Sequence, residues 1–150
     1  MEPLDCFKII GIAMETTNQN GQSLHDIEKL WGRFWGEDIQ SQVPNRVNTD
    51  IYAVYTDYEN QDLGKYTIII GLPVITLDDI PKGFTGRELC IGKSQKFVSK
   101  GKMPEAIVKT WTEIWENKAL KRAFHVDVTI HGAKYYDGDN AEVETYISIL

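Results

Sequence analysis

His125, Asp127, Thr129 and His131 alternate along one run of the chain, and imidazoles and carboxylates sharing a strand face are good ligands for zinc. The spacing argues against one compact site, because six residues of extended chain separate the two imidazoles by about 20 Å. No metal and no other cofactor is expected. The sequence contains no Gly-x-Ser-x-Gly elbow, phosphate loop or His-Glu-x-x-His pair, and the glycines of Lys82-Gly-Phe-Thr-Gly86 do not open a helix. No catalytic residue is assigned, and the chain is read as a non-enzyme. What remains is the chemistry of rings. Aromatic faces hold apolar surface and attract cations, and four tryptophans, Trp31, Trp35, Trp111 and Trp115, fall in two groups. Trp35 and Trp115, near helix ends, are candidates to line a pocket, as are Tyr55 and Tyr66 in strand-like runs. Trp31 and Trp111 read as core. Phe97 reads first as core and is kept as a contact candidate.

The elements that must position these rings are written twice. Ile27-Glu-Lys29-Leu-Trp31-Gly-Arg-Phe34-Trp35 matches Ile107-Val-Lys109-Thr-Trp111-Thr-Glu-Ile114-Trp115 at a constant offset, and such self-similarity fixes an architecture. Apolar residues at i, i+4, i+7 and i+8 predict an amphipathic helix in each copy. Ser23 with Asp26 resembles a capping box, Pro104 suits a first helical turn, Gly36 closes the first helix, and the second ends near Asn117. Strand-like runs cover 7–14, 51–58 and 66–74 in the first copy and 95–99, 124–131 and 143–149 in the second. Residues 59–64 and 136–140 carry the turn formers that join each copy's last two strands. Residues 77–88 read as the connector between halves. The expected fold is α+β: a duplicated strand-helix-strand-strand unit, an antiparallel sheet with two main helices on one face, and a ligand cleft between the halves. One domain spans 1–150, with halves of about 1–76 and 83–150.

Composition narrows the class of partner. With 42% hydrophobic and 25% charged residues among 150, a single packed core is expected. The net charge of −6 opposes a phosphate backbone, and Lys93, Lys96, Lys100 and Lys102 read as a solvated rim, so no direct nucleic-acid contact is expected. Cys6 and Cys90 are isolated thiols read as reduced. The opening Met-Glu-Pro-Leu-Asp lacks the pattern of a signal peptide and no apolar run reaches membrane-spanning length, which makes the cytoplasm the expected compartment and a membrane an unexpected partner. Strand-like sequence starts within the first few residues and the last strand-like run reaches Ile149, so no DNA-reading domain is expected within these residues.

This order of elements resembles the effector-binding domain shared by multidrug-responsive transcription regulators and gyrase-inhibitor-like proteins, most of all its stand-alone members, including those on integron gene cassettes. The resemblance is carried by Trp31, by Tyr52-Ala-Val-Tyr55-Thr-Asp-Tyr58-Glu, by Gly64-Lys-Tyr66-Thr-Ile-Ile-Ile-Gly71, by Phe97-Val-Ser-Lys-Gly101, by Trp111 to Trp115, and by Glu144-Thr-Tyr146-Ile-Ser-Ile149. It implies a cleft lined by rings and buried carboxylates that binds bulky, apolar, often cationic compounds. Thr129 stands where that family often has a ligand-facing glutamate, and His131 where it has a tyrosine. Glu144 and Tyr146 match its acidic and aromatic positions, so the resemblance makes Glu144 the anionic anchor if the two face the cleft. The expected function is a small-molecule binding module for a hydrophobic, aromatic ligand, with a cationic one admitted, acting by sequestration or as a sensor with a separate protein partner. Two alternatives stay open: a gyrase-inhibitor-like protein-interaction module, and a hydrolase of reactive small molecules, an activity reported for some relatives of the fold.

Overall fold

Seven strands form one antiparallel sheet, and its strand order shows the duplication directly. In the computed structural model, residues 6–61 and 63–150 are described; the opening Met-Glu-Pro-Leu-Asp and Asp62, within the expected 59–64 turn, lie outside them. The strands are β1 (Cys6–Thr17), β2 (Ile51–Thr56), β3 (Lys65–Val74), β4 (Thr85–Cys90), β5 (Ser94–Lys100), β6 (Val126–His131) and β7 (Glu142–Ser148), and the main helices are α1 (Gln22–Gly36) and α3 (Glu105–Glu116), with a single turn α2 (Ile39–Gln42) between. The spatial order is β4-β1-β3-β2-β6-β7-β5. Read outward from the central β2–β6 pair, each half gives its second, third and first strand in turn. β2 and β6 meet antiparallel from Ile51↔His131 to Thr56↔Val126, which joins the two copies in one continuous sheet.

Period-2 alternation sorts the two faces. Ile10, Ile12, Ile68, Ile70 and Ala53 point to the face covered by α1 and pack with Leu30 and Phe34. On the same face, Ile147 packs with Trp111 and Ile114 of α3. Polar pins fix both helices to the sheet. Thr16 Oγ1 donates to Asp26 Oδ2 at 2.7 Å under α1, and the Ser99 and Thr110 hydroxyls share a 2.6 Å hydrogen bond under α3.

The opposite face buries Phe7, Ile9, Tyr52, Val54, Val128, Ile130 and Tyr146 with Leu89 and Ile91, with none of the main helices among them. Chain connectivity explains how. β4 and β5 are the two edges of the sheet, yet only Ile91 to Lys93 join them, a reach of at most about 14 Å. The edges must therefore converge, curling the sheet around this second core. Gly11 faces Gly71 across β1 and β3, and a Cβ on either would collide with the partner's backbone; this close approach is why both positions are glycine.

Several sequence expectations are corrected. Residues 85–90 of the expected connector are strand β4, paired with β1 from Gly11↔Thr85 to Cys6↔Cys90. Gly86 there marks crowding, since a Cβ would stand 2.5 Å from Ile80 Cδ1. Cys6 and Cys90 are joined in a disulfide and not reduced. They lie directly opposite on adjacent antiparallel strands, where side chains approach closely, and a sequence separation of 84 hides that pairing from a local reading. Ser23 and Asp26 form no capping box: Gly21 precedes the helix with a left-handed φ of 70° and no side-chain cap, and Asp26 is engaged by Thr16 and Gln22. Among the described residues no helix is long and apolar enough to cross a membrane.

Candidate functional site

Between α1 and α3, above the β2–β6 junction, lies a cavity of about 540 Å³, within the range typical of small-molecule sites. Each helix contributes one stripe of its 3.6-residue period. Leu24, Ile27, Glu28 and Trp31 come from α1, and Ile107, Val108, Trp111 and Trp115 from α3. The sheet supplies Ala53, Tyr55, Tyr66, Thr129 and His131 beneath them, and Tyr58 and Arg122 also line the cavity.

The rings form a connected lining. Tyr55 meets Trp111 at 4.9 Å and Tyr66 at 6.2 Å between centroids, Trp111 meets Trp115 at 6.2 Å, and Tyr58 meets Tyr66 at 5.6 Å. These contacts hold the rings against each other, which presents large apolar area with little rotamer freedom left to lose on binding. Tyr66 is oriented further by its hydroxyl, which donates to Asn18 Oδ1 at 2.9 Å.

Tyr55, Tyr58 and His131, on the cavity wall, are held away from their ordinary acid–base behaviour. Burial pushes the Tyr55 and Tyr58 hydroxyls far above the ordinary tyrosine range, with the Asp127 carboxylate adding to the effect on each. His131 is pushed down to about 4 by burial, against a smaller opposing influence of the Ile51 and Thr129 carbonyls. It is a neutral imidazole at pH 7, held between Trp31 and Tyr135 with both ring centroids at 4.8 Å. Asp127, fully buried, accepts from Arg122 Nη2 at 2.9 Å and from the Tyr58 hydroxyl at 2.5 Å through Oδ2, and from the Ser148 amide at 2.8 Å through Oδ1. Arg122 in turn stacks on Phe124, 4.3 Å from the ring centroid. The buried carboxylate is therefore neutralised from within the protein. Of the lining residues, Glu28 alone carries a carboxylate, and it is exposed on α1.

The structure brings together five of the nine residues singled out from the sequence: Tyr55, Tyr66, Trp115, Thr129 and His131 all line the cavity. The other four lie elsewhere. Trp35 stacks outside on Trp31 at 6.0 Å and is 43% exposed. Phe97 packs against the Trp111, Ile114 and Ile147 cluster as core. Glu144 and Tyr146 do not face the cleft, because register places Thr145 opposite Thr129 and Glu144 opposite Ile130. Tyr146 is consequently part of the second core, and Glu144 pairs with Lys96 at 2.7 Å on that side. The face carrying Asp127, Thr129 and His131, left between solvent and cleft by its alternation, is buried on the cavity side.

Sequence reasoning missed Trp31 and Trp111 as lining residues, since a residue on the apolar stripe is core and wall at once where two helices splay. It also missed Glu28, Tyr58 and Arg122. The helical period would have found Glu28, four residues after Leu24 and three before Trp31. Arg122 lies in an irregular segment and gave no signal.

Known proteins place this geometry. Over 150 residues the chain is 26% identical to YobU of Bacillus subtilis (strain 168), named as a candidate transcriptional regulator protein, covering 97% of this chain and 94% of that one. An integron cassette protein from the mobile metagenome of Vibrio cholerae has the same fold, with a TM-score of 0.75 and 22% identity over 99% of this chain and 94% of that one. So does SAV2435, solved bound to tetraphenylphosphonium, with a TM-score of 0.82 and 16% identity over 99% and 92%. Residues 1–149 match the model of the integron-associated effector binding proteins, and the chain belongs to that family.

Proposed function

We propose that residues 1–150 work as one small-molecule binding module whose ligand is a bulky, hydrophobic, aromatic compound held between α1 and α3. The reading is carried by one observation: a cavity of about 540 Å³ walled by Trp31, Trp111, Trp115, Tyr55, Tyr58 and Tyr66. Burying apolar ligand area against such walls yields about 25 cal/mol per Å² before the costs of association. Ring faces also admit a lipophilic cation, each contact worth about 0.5–2 kcal/mol, and the aryl cation held by SAV2435 fits that chemistry. Here hydrophobic shape leads and charge follows, because Asp127 is already matched by Arg122.

Binding is favoured over turnover. A general base at neutral pH needs a group poised near 7, whereas His131 sits near 4 and the cavity tyrosines lie far above. The module acts by sequestering its ligand or by signalling through a separate protein. Titration of tryptophan fluorescence with tetraphenylphosphonium and neutral polycyclic aromatics tests the reading, and quenching that saturates at micromolar concentration is expected. Absence of any saturable response across the panel overturns it.

A further inference from the structure

β5 is the counterpart of β1 in the duplicated unit, yet β4 covers the outer side of β1 and no strand covers that of β5. The register shows which backbone groups this leaves open. At the two ends of β5 the Ile149 amide donates to the Lys93 carbonyl and the Gly101 amide to the Ala141 carbonyl, both at 2.9 Å. Bonded and non-bonded pairs alternate along an antiparallel ladder, so Gln95, Phe97 and Ser99 are bonded to β7 while the N–H and C=O groups of Lys96, Val98 and Lys100 point away from it. They find no other backbone partner among the described residues. Nor does β4 cover them. Directions alternate across the sheet, so β4 and β5 run the same way, and parallel neighbours need a crossover of about a dozen residues, whereas only Ile91 to Lys93 join these two.

An open edge is a template for a further strand. In a chain of net charge −6, Lys93 to Lys102 holds four lysines and no carboxylate. Lys96 is paired with Glu144, and Lys93, Lys100 and Lys102 make no ion pair among the described residues. Val98, 43% exposed, alternates onto one side of the strand with Lys96 and Lys100. These charges choose the occupant. Two copies paired antiparallel about Val98 would set Lys96 against the second copy's Lys100, and like charges directly opposite are destabilising. A strand whose apolar residue has a carboxylate two positions away on each side meets the same row as favourable cross-strand pairs.

We propose that the outer edge of β5 receives an acidic extended segment of a protein partner, which pairs with Lys96, Val98 and Lys100 as a further strand. The surface is separate from the cavity, and the proposal does not depend on what the cavity holds. It lies one layer from the cavity wall, because Ser99 is hydrogen-bonded to Thr110 and Phe97 packs with Trp111 of α3.

The test is a fluorescence anisotropy titration, at low ionic strength, of the capped and dye-labelled peptide Thr-Glu-Thr-Val-Thr-Glu-Thr beside its counterpart with lysine for glutamate. The acidic peptide is expected to bind about tenfold more tightly, and Lys100→Glu with Lys102→Glu should remove most of that difference. Val98→Pro takes away an outward N–H and no bond to β7, a position where an edge strand tolerates proline, and should weaken the acidic peptide about tenfold. In the wild-type complex the amides of Lys96, Val98 and Lys100 should exchange with solvent at least about tenfold more slowly than in the free protein. That measurement decides the matter if the proline variant does not fold. Equal affinity for the two peptides, binding of neither, or binding without slowed exchange at those amides overturns the proposal. So does a dimer in sedimentation that Val98→Pro dissolves, which gives the edge to a second copy.

Discussion

Arg122 reaches Asp127 at 2.9 Å across a nearly dry boundary, with 6% of the arginine side chain and none of the carboxylate exposed. Arg122 lines the cavity, and Tyr58, also on its wall, shares the same oxygen of Asp127. Removing one partner from a buried ion pair leaves the other charge uncompensated, at a cost of about 3–5 kcal/mol. Arg122→Ala should lower stability by that order in urea denaturation, while Arg122→Met with Asp127→Asn should recover most of it. A loss below about 1 kcal/mol for the single variant would mean that water reaches Asp127 and the pair is not sealed.

His131 gives the stability a pH dependence of definite sign. Its folded value of about 4 lies below the ordinary 6.5, so the unfolded chain binds the proton more readily. The stabilisation is complete above about 6.5 and is lost as pH falls from 6.5 towards 4. Between pH 6.5 and 5, above the range of ordinary carboxylates, the loss should approach about 2 kcal/mol. Urea midpoints of the wild type should fall over that interval and those of His131→Phe should stay nearly flat. Parallel curves would show that other groups carry the slope.

The Cys6–Cys90 disulfide closes a loop spanning a sequence separation of 84, which in the chain-entropy picture is worth at most about 4–5 kcal/mol. It fastens the β4 edge to β1, and neither cysteine lines the cavity. Reduction, or Cys6→Ser with Cys90→Ser, should lower the melting temperature clearly and leave ligand affinity within about twofold. Unchanged melting on reduction would mean that the edge is held by strand pairing alone.

How much of this was legible before folding divides along local and non-local lines. The duplicated helices were visible because Trp31 and Trp111, Trp35 and Trp115 recur at a fixed offset, and an amphipathic period is written in a dozen neighbouring residues. Alternation likewise showed that Thr129 and His131 share a face, and that Glu144 and Tyr146 do. It could not say which face each set takes. That is decided by the pairing of Thr129 with Thr145, and a slip of one residue would exchange the faces. The Cys6–Cys90 contact depends on register too, at far greater separation. The Arg122–Asp127 pair depends on an irregular segment with Phe124 at a φ of 53°, for which sequence offers no periodic signal.

Register also reverses the expected role of Glu144. Facing the Ile130 side of the sheet and paired with Lys96 at 2.7 Å, it has the sheet itself between its carboxylate and the cavity. Glu144→Gln should therefore change the affinity for tetraphenylphosphonium and for a neutral aromatic alike by less than about twofold. Glu28, on the α1 stripe that lines the cavity, is the carboxylate a cationic ligand meets. Its exposure limits the attraction to about 0.5–1 kcal/mol, so Glu28→Gln should weaken the cation about two- to fivefold, less at high salt, and spare the neutral ligand. Titrating both variants with both ligands at two ionic strengths separates the roles. A tenfold loss of cation binding on Glu144→Gln would require Glu144 to reach the ligand, which the Thr129–Thr145 register forbids.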